Sequence, residues 1–161
     1  MRTIATVGVY GATLETFLDA LRTADVRQVL DVRQRRGVRG SEYAWANAQR
    51  LQAALAEAAI DYRHHKELAP TTELRQLQYR EDDRQGVGKR SREQLAPEYA
   101  ERYEREILGH ADLRRLVSGL PDEGIAALLC VERDPEACHR SLIAERLAGE
   151  HGFAVSHLRP G

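Results

Sequence analysis

The chain has 161 residues, of which 42% are hydrophobic and 30% are charged, and its formal net charge is -1. This length suffices for one domain with its own core, and the near-neutral charge excludes a general electrostatic attraction to nucleic acid. The N-terminal MRTIATVGVYG has no signal-peptide pattern, and no apolar run approaches the roughly 20 residues of a membrane span. We therefore expect a cytoplasmic protein with no membrane partner, whose two cysteines are reduced thiols.

The first part of the chain predicts two strands, a helix and a loop. The apolar run from Ile4 to Val9 is typical of a buried strand. A helix follows Thr13, which is a suitable N-cap, because apolar residues recur at helical spacing at Leu14, Phe17, Leu18 and Leu21. Residues 26–33 predict a second strand, and the stretch from Arg35 to Tyr43, which contains glycine and has no periodicity, predicts a loop.

The middle of the chain predicts a helix, a short strand and a helical insertion. The helix covers about Asn47 to Ala59 and the strand covers Ile60 to His64. From Glu67 to Gly119 the sequence is strongly charged, with helical apolar anchors at Tyr99, Tyr103, Ile107, Leu113, Leu116 and Val117. Within this region we interpret the charged segment from Asp82 to Glu93 as a mobile loop between helices.

The last third predicts a strand, a helix and a final strand. The apolar run from Gly124 to Val131 is typical of a strand covered on both faces. A helix is expected from Pro135 to about Gly149, with Asp134 as its N-cap, and a fifth strand from Phe153 to Leu158. The alternation predicts a single α/β domain over residues 1–161. It has a mostly parallel five-stranded sheet, helices on both faces and a helical insertion at about 67–119.

Polar residues stand where three predicted strands end. Gly8 lies at the end of the first strand, Asp31 and Arg33 end the second, and Cys130 and Glu132 end the fourth. Because ligands of open parallel sheets bind at the carboxyl ends of the strands, we expect these residues to meet in one cleft.

The helix after the fourth strand adds Cys138, His139 and Arg140 to this cleft. A helix N-terminus favours an anion, and Arg140 together with Arg33 would clamp a phosphate or a carboxylate. The same field would lower the pKa of a thiol and make it a nucleophile, with Glu132 or His139 handling protons.

Structural alternatives accompany each of these roles. Either thiol can be a packing residue, and the sequence does not decide which of Cys130 and Cys138 is reactive. His139 can bond a backbone carbonyl, and Glu132 can pair with an arginine instead of acting as a base. Asp31 can be the ion-pair partner of Arg33.

We expect neither a cofactor nor a metal, because no GxxxxGK[ST], GxGxxG or HExxH motif is present. Cys138 and His139 are adjacent on the predicted helix, where their side chains would point about 100° apart and rarely share one ion. A metal-bound structural site is the weaker option. A basic loop at Arg33, Arg35, Arg36 and Arg39 offers a contact to a nucleic-acid backbone.

Three motifs together resemble the domain-of-unknown-function family 488. They are Thr6-x-Gly8, Asp31-Val32-Arg33 and Cys130-x-Glu132-x5-Cys138-His139-Arg140, whose order and spacing cover nearly the whole chain. The resemblance implies a small bacterial or archaeal α/β protein with a shared polar site and no established reaction. Val9-Tyr10 and Leu68-Ala69-Pro70 depart from the family pattern, and both are expected near the cleft.

Two functions are therefore predicted. The first is an enzyme, a thiol- or carboxylate-dependent hydrolase or transferase, that acts on an anionic small molecule or on nucleotide or nucleic-acid phosphate. Its catalytic residues would be Cys130, Glu132, Cys138 and His139, and its substrate-binding residues Gly8, Asp31, Arg33 and Arg140. The second is a non-catalytic nucleic-acid-binding module that uses the loop from Arg33 to Arg39.

Overall fold

A parallel sheet organises the molecule. The computed structural model describes residues 2–88 and 90–161, and within them five strands pair in the spatial order β3-β2-β4-β1-β5, all parallel. The strands are β1 Thr3–Val7, β2 Val26–Asp31, β3 Asp61–His64, β4 Ile125–Leu129 and β5 Ala154–His157. The predicted fold class, α/β with a five-stranded parallel sheet, is confirmed.

The strands alternate with helices as predicted. The helices are α1 Leu14–Thr23, α2 Ala48–Glu57, α3 Thr72–Gln85, α4 Pro97–Glu106, α5 Leu113–Ser118 and α6 Arg140–His151. Short 3-10 turns cover Ser41–Ala46, Lys66–Leu68, Leu108–His110 and Pro135–Ala137. Across residues 2–88 and 90–161, no helix combines the length and apolarity that crossing a bilayer requires.

Local sequence explains where α1 begins and which face it buries. The Thr13 side chain accepts a hydrogen bond from the Thr16 backbone N–H at 3.1 Å, which confirms the predicted N-cap. Phe17 and Leu21, one turn apart on the predicted apolar face, are fully buried. The apolar β4 lies between β2 and β1 and is buried over four of its five residues, as its continuous apolar run predicts.

The sheet reverses its winding between β2 and β4. From β2 the chain passes through α2 to β3 on one side, and from β4 it passes through α6 to β5 on the other. Right-handed crossovers place these helices on opposite faces, so a crevice opens at the carboxyl ends of the two adjacent strands. The ends of β1, β4 and β2 lie side by side, because Cys130 N donates to Val7 O at 3.2 Å and Val32 N donates to Leu129 O at 3.1 Å.

The region between β3 and β4 contains α3, α4 and α5, but the loop predicted over 82–93 is only partly correct. Residues 82–85 form the last turn of α3, which ends at Gly86 in the left-handed conformation (φ +72°). Asp82 and Arg92 are buried rather than solvated, because they form an ion pair with each other. Lys89, which also falls in that segment, lies outside the described residues.

The start of the last helix also differs from the prediction. Pro135–Ala137 is a 3-10 turn, Cys138 is extended (φ -138°, ψ 146°), and α6 begins only at Arg140. The Asp134 carboxylate does not cap this turn and accepts a hydrogen bond from Arg159 Nη1 at 2.8 Å. The break is held in place because Cys138 O accepts from the Ser141 hydroxyl at 2.8 Å, which ties the extended residue to the first turn of α6.

Candidate active site

A cleft of about 690 Å³ opens at the carboxyl ends of β2 and β4. Its volume falls in the range of small-molecule sites. The residues after β2 and the insertion form its walls, and its floor carries all four predicted catalytic side chains: Cys130, Glu132, Cys138 and His139. Tyr10 and Pro70, which belong to the two departures from the family pattern, also line the cleft.

The floor of the cleft holds a thiol–imidazole cluster, formed by Cys130, Cys138 and His139. The two Sγ atoms lie 3.8 Å (Cys130) and 3.7 Å (Cys138) from His139 Nδ1. The other ring nitrogen, Nε2, lies 2.8 Å from the carbonyl oxygen of Val32. A carbonyl only accepts, so Nε2 carries the hydrogen and Nδ1 faces both sulfurs.

The cluster corrects one sequence argument. We expected Cys138 and His139 to diverge by about 100° as neighbours on a helix. Cys138 is extended and precedes the helix, so both side chains reach the same point. No local pattern indicates this break, because Asp134-Pro135 is a good helix start in isolation.

Electrostatics favour a thiolate at Cys138. Burial alone would raise the pKa of this thiol, but a hydrogen bond with Cys130 and the positive charges of His139 and Arg140 bring the pKa well below its usual value. Burial likewise opposes a charged His139, yet the Cys138 charge and the hydrogen bond to Val32 raise the pKa of the imidazole. The two groups therefore favour a thiolate–imidazolium pair.

Glu132 is held by an arginine that sequence reasoning missed. Arg92 Nη2 lies 2.7 Å from Glu132 Oε1, Nη1 lies 2.8 Å from Asp82 Oδ2, and Nε donates to Ala137 O at 3.2 Å. All three charged side chains are buried. The only sequence signal is an Asp and an Arg ten residues apart in a charged segment, which does not identify a partner 40 residues further along the chain.

Arg33 is paired with Asp31, as the structural alternative proposed. Its Nε and Nη2 lie 2.9 and 2.8 Å from the two Asp31 carboxylate oxygens, and Nη1 donates to Ala46 O at 2.9 Å. The Tyr62 hydroxyl donates to the same carboxylate. Arg33 borders the cleft, but its donor nitrogens are engaged with protein acceptors.

Arg140 and Gly8 lie behind the cleft floor rather than in it. The Arg140 guanidinium is fully buried and donates to the backbone oxygens of Glu132 (2.7 Å) and Arg133 (3.2 Å). A Cβ at Gly8 would stand 2.0 Å from Glu132 O. Both residues thus fix the backbone that carries Glu132. Only glycine, which has no Cβ, allows the backbone at position 8 to approach Glu132 O this closely.

Positive charge dominates the cleft lining. Among the described residues it contains six arginines and a single carboxylate, that of Glu132. Arg33 and Arg92 are engaged in the buried pairs above, which leaves an arginine rim, defined here as Arg35, Arg39, Arg75 and Arg90. Such a lining concentrates anions.

The members of the arginine rim differ in how firmly they are held. Arg75 donates to Gln34 and Tyr79, and Arg90 lies 5.1 Å from the ring centres of both Tyr10 and Tyr43. Arg35 and Arg39 are exposed. The fourth arginine of the predicted basic loop, Arg36, donates to the Tyr62 hydroxyl at 3.3 Å.

Comparison with known proteins assigns a family. The family described as "Domain of unknown function DUF488" matches residues 13–147 of the 161. The chain belongs to the DUF488 family. The matched range includes the Asp31-Val32-Arg33 and Cys130 to Arg140 motifs, whereas Thr6-x-Gly8 precedes it. No curated protein and no solved structure matches the chain.

Proposed function

We propose that this DUF488 protein is an enzyme that acts on an anionic substrate in the cleft, with Cys138 as its nucleophile. The observation that carries the proposal is the 3.7 Å approach of Cys138 Sγ to His139 Nδ1 on the floor of an arginine-lined cleft. Adjacent nucleophile and base are the arrangement that covalent catalysis needs. The lowered pKa of Cys138 supports this role.

The chemistry is a group transfer through sulfur. The Cys138 thiolate bonds to an electrophilic carbon or phosphorus of the substrate, and the bond from that atom to the leaving oxygen breaks. The imidazolium Nδ1–H of His139 gives its proton to the leaving oxygen. The neutral ring then takes a proton from water, whose oxygen displaces the sulfur. This step releases the acid and restores the thiolate and the imidazolium.

Substrate recognition falls to the arginine rim rather than to the pair named from the sequence. Arg33 and Arg140 already bond protein acceptors, whereas Arg35 and Arg39 are exposed at the cleft. Guanidinium groups bind phosphate and carboxylate by paired hydrogen bonds. A nucleotide or nucleic-acid phosphate is the substrate class we propose for this lining.

The test uses two alkylating agents of nearly the same size, anionic iodoacetate and neutral iodoacetamide. We expect Cys138 to react with both in the folded protein, and the iodoacetate to iodoacetamide rate ratio to exceed that of the same cysteine in urea. Attraction by surrounding charge raises association rates by roughly 10- to 1000-fold in favourable cases and falls with added salt. Mass spectrometry assigns the modified cysteine.

A double substitution of the arginine rim provides the matched comparison. Arg35→Ser with Arg39→Ser should lower the rate ratio while leaving iodoacetamide labelling unchanged. Arg80→Ser, an exposed arginine of α3 that does not line the cleft, should change neither. Labelling of Cys138 only after unfolding would overturn the nucleophile, and a ratio unaffected by the double substitution would overturn the anion site.

Exposure of Arg35 and Arg39 favours a second candidate, a nucleic-acid-binding module without chemistry. Lysine and arginine contacts to phosphates give an affinity that falls steeply with salt. Salt-dependent binding of single-stranded DNA or RNA, lost in the Arg35→Ser and Arg39→Ser variant and unaffected by Cys138→Ser, would favour this candidate over the enzyme.

A further inference from the structure

The thiol–imidazole cluster has the composition and spacing of a metal site. The ligand atoms of Cys130, Cys138 and His139 all lie within 4.8 Å of one another, and all three residues are buried. Two thiolates and one imidazole are ligands that Zn²⁺ prefers, whereas ions such as Mg²⁺ prefer carboxylate oxygens. We propose that these three residues bind one Zn²⁺ ion, with the fourth coordination position open to the cleft.

The two sulfur–nitrogen distances in the cluster fit a tetrahedral ion. Bonds of about 2.3 Å to sulfur and about 2.0 Å to nitrogen, at a tetrahedral angle, place sulfur and nitrogen about 3.5 Å apart. The two sulfurs lie 3.7 and 3.8 Å from His139 Nδ1. The third separation, between the two sulfurs, is within 4.8 Å, so bringing it to the roughly 3.8 Å of a tetrahedral ion requires at most about 1 Å of side-chain movement.

The groups that would orient the metal ligands are already in place. A metal-ligating histidine usually donates its second N–H to a carbonyl or a carboxylate, which fixes the tautomer. His139 does this through Nε2 and Val32 O, so Nδ1, the nitrogen that faces the sulfurs, is the one that gives up its proton and coordinates the ion. Cys138 is fixed in turn by the Ser141 hydroxyl on its carbonyl oxygen.

Three protein ligands characterise zinc sites that keep an open position, whereas structural sites have four. All three ligand residues line the cleft, so the fourth position faces the space where the substrate would lie. Two thiolates also balance the charge of the ion, which matters for a buried site.

Zinc would regulate the proposed thiol chemistry. An ion on Cys138 Sγ occupies the electron pair that attacks the substrate, so the metal-bound form cannot use this nucleophile. This consequence rests on the proposed function, whereas the binding of Zn²⁺ does not.

The binding experiment uses the full chain after treatment with a chelator. After Zn²⁺ is added back and the excess is removed by dialysis, we expect elemental analysis to find one Zn²⁺ per chain. With Co²⁺ as the probe, we expect thiolate-to-metal charge-transfer bands and the visible absorption of a tetrahedral ion. Cys130→Ser, Cys138→Ser and His139→Asn should each weaken binding by more than the roughly 10- to 100-fold that loss of an outer-shell partner costs.

A surface histidine provides the control. His110, exposed after α4, should leave metal content and the Co²⁺ spectrum unchanged when replaced by Asn. Absence of thiolate bands in wild-type protein, or binding equal in wild type and Cys138→Ser, would overturn the inference. The wild-type spectrum decides even if a variant fails to fold.

Labelling separates this inference from the proposed function. If Zn²⁺ binds but metal-free Cys138 never reacts with iodoacetamide, the metal site stands and the thiol nucleophile fails. If Cys138 reacts and Zn²⁺ neither binds nor slows the reaction, the nucleophile stands and the metal site fails. Protection of Cys138 by stoichiometric Zn²⁺ supports both.

Discussion

Replacing Arg92 by Met tests how the cleft floor is held together. Arg92 links the end of α3, the segment after β4 and the 135–137 turn, through Asp82, Glu132 and Ala137 O. Met keeps much of the side-chain volume and removes the charge and every donor. The substitution leaves two buried carboxylates without the cation that pairs them.

The expected loss in the free energy of unfolding is large because both ion pairs are buried away from water. Only 5%, 5% and 8% of the side chains of Arg92, Asp82 and Glu132 is exposed. Solvent therefore does not screen the attraction between their charges as it does in surface ion pairs. Removing one partner of a buried ion pair costs about 3–5 kcal/mol. For a domain of this size that lowers the melting temperature by about 6–20 °C, at roughly 2–4 °C per kcal/mol.

Urea unfolding followed by circular dichroism measures this loss. The control is Arg84→Ala in α3, the helix that carries Asp82, because Arg84 pairs with Glu81 at the exposed surface and should change the midpoint little. A loss in Arg92→Met of less than about 1 kcal/mol would refute the reasoning, because breaking a buried pair costs several times that amount. The ion pairs would then not stabilise the floor.

Gly8→Ala tests the backbone behind the floor, with Gly149→Ala as its control, and Asp31→Asn tests the buried ion pair of Arg33. Gly8→Ala should destabilise by about 1–3 kcal/mol or more, because its Cβ would overlap Glu132 O. Gly149→Ala, at an exposed helical position with open space, should stabilise by about 0.5–1 kcal/mol. Equal urea midpoints for the two would contradict this account. Asp31→Asn should cost about 3–5 kcal/mol in the same assay, since it leaves buried Arg33 uncompensated. A change below about 1 kcal/mol would exclude that role.

The parts of the fold that follow from local patterns were predictable. The apolar run of β4 and the one-sided face of α1 each have a direct physical cause in burial. The strand order was not predictable in the same way, because only β2 and β3 are neighbours both in the chain and in the sheet. The cleft could be located without it, since ligands of parallel sheets bind where the strands end, and Cys130 and Glu132 follow β4.

The internal arrangement of the site could not be predicted from the sequence, because it depends on contacts between distant segments. Nothing near Arg92 in sequence indicates that it reaches Glu132, and nothing near Arg140 indicates that it is fully buried against backbone carbonyls. The extended Cys138 is likewise fixed by tertiary contacts, against a local pattern that favours a helix start. Moving this one residue out of the helix is what brings both thiols to His139.

The pH dependence of Cys138 alkylation tests the central claim most directly. Iodoacetamide rates are measured on metal-free protein across pH, with the urea-unfolded chain as reference and mass spectrometry to separate Cys138 from Cys130. Because the pKa of Cys138 is lowered in the fold, its thiolate persists below the pH at which an ordinary thiol protonates, near 8.5. We predict that the folded-state rate reaches its plateau at a lower pH than the unfolded-state rate. Identical profiles, or labelling of Cys138 in urea alone, would contradict a thiolate nucleophile in this cleft.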